Sequence, residues 1–138
     1  MNEIMDWRKC EREFIRKVEA DEERILSIKK KAIRRLERAR KSAEVDFAVE
    51  DYYETVKELL TAYLLKNGMR SSNHQCLISY FLKRNPAQER EAVLMQQMSF
   101  FRNRLTYYGE DIPEEFYKEN KQNFEKIIKQ ILVLVENG

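Results

Sequence analysis

The chain has 138 residues, with 26 basic and 24 acidic side chains for a net charge of +2. That length fits one domain with a core of its own, and so even a balance of charge singles out neither an anionic nor a cationic partner. Hydrophobic residues at 43% and charged ones at 36%, with only three Gly and two Pro, suit a few long helices with one apolar and one solvated face.

Charge is unevenly spread: residues 1–43 hold fourteen basic and nine acidic groups, and the remainder twelve and fifteen. The opening MNEIMDWRKC is charged from its third residue and lacks the apolar run of a signal peptide. No stretch approaches about 18 uncharged apolar residues, so no membrane span is expected. Cys10 and Cys76 form no CxxC pair and no repeated spacing. Reduced thiols in a cytoplasm are therefore expected, with no disulfide framework and no zinc site.

In chain order, Trp7, Cys10, Phe14 and Val18 recur at spacings of three and four, which predicts a first helix over roughly residues 3–18. Asp21 reads as the N-cap of a second helix reaching about Ser42, with its stripe at Ile25, Ile28, Ala32, Leu36, Ala39 and Ala43. A third helix carries Val49, Tyr52, Val56, Leu60, Tyr63 and Leu64, and Gly68 is placed to stop it. Ser72 with Gln75 reads as a capping box opening a fourth helix through Cys76, Leu77, Tyr80 and Phe81, which Asn85-Pro86 ends. The fifth spans about Ala87 to Tyr107, with Leu94, Met98, Phe101, Leu105 and Tyr108 turned inward. Asp111, Pro113 and Glu114 then read as cap, first turn and capping-box partner of a last helix that buries Phe116, Phe124, Ile127, Ile128, Ile131 and Val135. Short connections make neighbours antiparallel. The fold class expected is all-α: one domain over residues 1–138, an antiparallel up-down bundle of about five helices.

Two segments carry a resemblance. Leu64-Leu65-Lys66-Asn67-Gly68-Met69-Arg70-Ser71-Ser72-Asn73-His74-Gln75-Cys76-Leu77-Ile78 and Phe101-Arg102-Asn103-Arg104-Leu105-Thr106-Tyr107-Tyr108-Gly109 together resemble the HEPN superfamily, in particular its small prokaryotic members. Trp7-Arg8-Lys9-Cys10 and Ile15-Arg16-Lys17-Val18 before a long second helix fit the same group. The resemblance implies a dimeric helical bundle that is either a metal-independent ribonuclease, often the toxin of a toxin–antitoxin pair, or a non-catalytic partner of a small nucleotidyltransferase. The family signature is Arg, a polar residue, about four more residues and His. Arg102 and Asn103 match its first two positions, and the His position falls on Tyr107 or Tyr108.

That departure bears on chemistry. Cleaving RNA without metal needs a base for the ribose 2′-hydroxyl and a cation for the phosphate. Arginine supplies the cation at any pH, but a phenol with a reference pKa near 10 is a poor base at neutrality. Candidate catalytic residues are Arg102, Asn103, Tyr107 and His74, the only histidine. In an up-down bundle the start of the fourth helix and the end of the fifth share a pole, so His74 is expected near Arg102 or Tyr107. Candidate RNA or phosphate contacts are Arg70, Arg102 and Arg104 at that pole, beside the amides opening the fourth helix, and Lys30, Arg34 and Arg38 on the second. At 100° per residue Arg102 lies on the flank of the fifth helix, and Asn103 and Tyr107 form an outward ridge suited to a homodimer interface.

There is no Gly-rich phosphate loop, HExxH or GxSxG, so no metal and no cofactor is expected. Three readings stay open: a module binding RNA, a nucleotide or a nucleotidyltransferase; a divergent ribonuclease using Arg102 and Asn103; and a helical assembly scaffold.

Overall fold

The computed structural model describes residues 3–137. It is 79% helical, with six α-helices and a two-stranded ribbon. Helix α1 is Trp7–Glu13, strand β1 Ile15–Lys17, α2 Glu22–Lys41, α3 Val45–Lys66, β2 Met69–Ser71, α4 Gln75–Arg84, α5 Glu89–Tyr108 and α6 Glu114–Asn137, with a 3-10 turn at Pro86–Gln88. The all-helical bundle expected from periodicity is what forms, and each of the six periodic segments holds one of its helices.

Helix α3 is the axis. Thirteen of its residues are buried, because α2, α4, α5 and α6 all pack around it. Its apolar side chains therefore run nearly round the helix, with Val49, Tyr52, Val56, Leu59, Leu60 and Leu64 each at most 1% exposed. Helix α2 keeps a single stripe, burying Ile25, Ala32, Leu36 and Ala39, and its Asp21 cap accepts from the Arg24 amide at 3.1 Å. Gly68 closes α3 at φ +76°, a left-handed conformation that a residue without Cβ adopts at little cost.

Four local expectations are corrected. The first helix stops at Glu13, and Ile15–Lys17 pairs antiparallel with Met69–Ser71, Ile15 facing Ser71, Arg16 facing Arg70 and Lys17 facing Met69. The Ile15–Lys17 segment, lying beside an extended partner, satisfies its backbone groups across the ribbon instead of along a helix. The Ser72 capping box does not form. Ser72 turns back to the Phe14 carbonyl, and the α4 amides at Gln75, Cys76 and Leu77 are met by the Asn73 side chain, the Asn73 carbonyl and the His74 carbonyl. On α5, Tyr108 is 70% exposed instead of inward. The helix is wedged between α3 and α4, which buries Ala92, Met95, Gln96 and Ser99 as well as Leu94 and Met98.

The thiols are the fourth correction. Cys10 and Cys76 are joined as a disulfide between α1 and α4, both fully buried, with Cα atoms 5.6 Å apart. Linear spacing hides this pairing, because the two cysteines lie 66 residues apart and meet only when α1 docks on α4, where Trp7 stacks on Tyr80 at 5.2 Å. Closing so long a loop restricts the unfolded chain, so the C10A/C76A variant should lose about 2–4 kcal/mol of stability. Urea unfolding followed by Trp7 fluorescence checks this. An unchanged midpoint, or two titratable thiols in the native wild type, would show that the bond does not hold α1 in place.

Candidate functional site

The candidate site is the pole where the α4 N-terminus meets the C-terminal half of α5. Arg102 is not a free flank residue. Its guanidinium, 23% exposed, lies 2.9 Å from Glu54 Oε1 of α3 and 5.9 Å over the Tyr53 ring. Its Nη1 donates to Asn103 Oδ1 at 3.2 Å, while Nε is buried without a hydrogen-bond partner. The flank assigned to Arg102 from helix geometry faces α3. This cation neutralises a half-buried carboxylate before it can meet any phosphate.

Asn103 lines a 170 Å³ cleft with Gln75, Ser99, Phe100, Arg104 and Tyr108. Gln75 reaches across it to Ser99 Oγ at 3.0 Å. Arg104 pairs with Glu110, its Nε donating to Oε2 at 2.6 Å, and lies 5.7 Å over Phe100 and 5.1 Å over Tyr108. That hydrogen bonding holds the Glu110 carboxyl below the usual carboxylate range. Tyr107, 71% exposed, makes no hydrogen bond or ring contact among the described residues.

His74 sits at the N-cap position of α4 in helical conformation, with no capping hydrogen bond from its side chain. Although the residue is exposed at the surface, its ring is partly desolvated, and this lowers its pKa from the ordinary 6.5. Repulsion from Lys57 and Arg102 lowers it further, and attraction to Glu54 opposes them. The Gln75–Ser99 bond holds the α4 N-terminus, which His74 precedes, against α5, the helix that carries Arg102. The imidazole is neutral at pH 7.

The remaining candidates scatter. Arg38 leaves the basic face of α2 to form a two-pronged bond with Asp51, Nε to Oδ2 at 2.8 Å and Nη2 to Oδ1 at 2.7 Å. Lys30 and Arg34 are exposed and make no ion pair among the described residues. Arg70 belongs to β2, directly opposite Arg16, and both are exposed with no acidic partner among the described residues. Arg16 was hidden from sequence reading by its placement in a continuous first helix. Ile15-Arg16-Lys17-Val18 does not alternate between apolar and polar, so it carries no strand period that could have revealed the pairing. Among the described residues no cluster of His, Cys, Asp and Glu is arranged to hold a metal ion.

No family model, curated protein or solved structure matches the chain.

Two outcomes follow from this geometry. Arg102→Ala leaves half-buried Glu54 with Lys57, 2.8 Å away, as its remaining cation, so it should cost about 1–2 kcal/mol, and adding Glu54→Gln should restore part of that. Thermal or urea unfolding of the single and double variants measures it, and a cost within about 0.5 kcal/mol would return Arg102 to the surface class. In an NMR titration the His74 ring should show a midpoint below 6.5. Glu54→Gln should lower that midpoint further and Lys57→Met should raise it; shifts of opposite sign would break the electrostatic assignment.

Proposed function

We propose that the chain is a dimeric, non-catalytic binding module for RNA or a nucleotide, of the HEPN-like kind its sequence resembles. The observation that carries this reading is the Arg16–Arg70 pair, two guanidinium groups opposite one another on an exposed ribbon with no acidic partner among the described residues. Like charges directly opposite across a ribbon cost about 0.2–1 kcal/mol. A phosphate between them turns that repulsion into two charge-assisted bonds. The ribbon runs into the turn bearing His74, and exposed Tyr107 and Tyr108 on α5 offer faces on which unstacked bases can lie.

The ribonuclease reading is the weaker one because its cation is already engaged: Arg102 is paired with Glu54. Homodimerisation through α5, a nucleotidyltransferase partner and membership of a toxin–antitoxin-type pair belong to the same proposal. The half-buried Phe100 and exposed Tyr107 support the first of these. Among the described residues no helix is long and apolar enough to cross a membrane. The cytoplasmic location expected from the sequence holds with this reading only if the complete enclosure of Cys10 and Cys76 keeps reductants from their bond.

The test is anisotropy of a labelled single-stranded RNA of about twelve nucleotides, a length within the range one small module covers, in chelator. Intact RNA should be retained by a protein that light scattering reports as a dimer. Arg16→Ala with Arg70→Ala should lower affinity about tenfold and reduce the salt slope by about one to one and a half, the release expected for two phosphate contacts on a single strand. Equal affinity of variant and wild type defeats the ribbon's role. Cleavage that disappears with His74→Ala favours the enzyme, and a dimer that retains no RNA favours the scaffold.

A further inference from the structure

Helices α5 and α6 both pack along α3 yet diverge from one another. They meet near their connecting loop, where Phe101 and Phe116 lie 4.6 Å apart. Away from that contact they open into a 360 Å³ cleft walled by Arg90, Val93 and Leu94 on α5 and by Lys126, Ile127 and Gln130 on α6. A bond from Gln130 Nε2 to Gln88 Oε1, at 3.0 Å, bridges to the 3-10 turn. Beyond it a second cleft of 490 Å³ continues along α6 over Phe81, Lys129, Val133 and Leu134. Lys126 and Gln130 border both clefts, so the two form one groove.

The groove has the form of a seat for another helix. Its α6 wall runs from Asn120 to Leu134 at spacings of three and four, and at 1.5 Å per residue that is a track of about 21 Å, or roughly fourteen helical residues. The facing α5 wall has the same spacing at Arg90, Val93, Leu94 and Gln97. Two helix walls that open away from each other leave a gap that the ridge of a third helix fills. Val93, 41% exposed, and Val133, 49% exposed, are the exposed aliphatic residues of α5 and α6, and both lie on this groove. The Gln130 side-chain oxygen is buried there and accepts no hydrogen bond.

Charge selects the occupant. Arg90, Lys126 and Lys129 are exposed on the rim with no ion pair among the described residues, against a single acid, Glu91. We infer that the α5–α6 groove docks an amphipathic helix of a partner protein, with an aliphatic stripe flanked by carboxylates. This surface is separate from the Arg16–Arg70 ribbon and does not rest on the nucleic-acid reading.

Two synthetic helical peptides of about fourteen residues, the length of the groove track, test it. They share one leucine stripe, and their flanking residues are all Glu in one and all Lys in the other. Added to the full-length ¹⁵N-labelled protein, the Glu peptide should shift amides of residues 90–97 and 120–134 and the Lys peptide should not. Lys126→Glu with Lys129→Glu, both exposed and away from the core, should weaken the Glu peptide at least about tenfold and bring the Lys peptide onto the groove. Binding of both peptides alike, shifts centred on another surface, or no binding overturns the inference. So does protein alone that perturbs these same amides on self-association, since the groove would then belong to a second copy of this chain.

Discussion

The fold depends on one constraint: the central helix carries carboxylates where its neighbours leave little water. Helix α3 is buried on most of its circumference, yet Asp51 is 6% exposed and the Glu54 and Glu58 side chains 14% and 17%. Carboxylates so placed cost several kcal/mol each unless a cation comes to them. Arg38 and Arg35 come from α2, Lys57 from α3 itself and Arg102 from α5. The packing of α2 and α5 on α3 is thus fixed by charge as well as by apolar stripes. Even so, Glu58 Oε2 is buried without a hydrogen-bond partner, and Glu54 Oε1 meets Arg102 as an ion pair without hydrogen-bond geometry, which leaves the network short of full compensation.

This constraint decides how the basic residues divide. In sequence, Lys30, Arg34, Arg35, Arg38 and Lys41 look like one cationic face. In the fold they are two populations. Arg35 and Arg38 are bound to α3 carboxylates, and Arg40 is bound to both oxygens of Glu125, whose Oε2 also accepts from Tyr52 at 2.7 Å. Lys30, Arg34 and Lys41 remain in solvent. A helical wheel of α2 assigns directions but not partners. The partners sit thirteen to eighty-five positions away in the chain.

The same distinction separates what was legible from what was not. Features that depend on a few consecutive residues were readable: the Asp21 cap, the Gly68 stop, the break at Asn85-Pro86 and the apolar stripes of α2, α3 and α6. Features that need two distant segments to meet were not. The strand at Ile15–Lys17 exists because Met69–Ser71 lies beside it, and the Cys10–Cys76 bond because α1 docks on α4. Ser72 spaced correctly from Gln75 still failed to cap, because Asn73 was nearer the amide and the Phe14 carbonyl offered Ser72 another partner. At the candidate site the grouping of His74 with Arg102 followed from topology, whereas the engagement of Arg102 by Glu54 did not.

An arginine's usefulness to a ligand is set by what it would have to leave. Freeing Arg102 leaves Glu54 with Lys57 alone in a poorly hydrated place, so any phosphate there must outcompete a carboxylate already 2.9 Å away. Arg16 and Arg70 have no ion pair to give up, so a phosphate between them would displace only part of their hydration while relieving their mutual repulsion. Arg104 falls between, since its partner Glu110 is an exposed residue that water can resolvate, and its guanidinium already lies over two aromatic rings. The cost of releasing a guanidinium is therefore graded on this fold, least at the ribbon, intermediate at the end of α5 and greatest at the residue whose sequence context resembles a signature. Motif position selects a residue type, while the neighbours supplied by the fold decide whether that residue is still available.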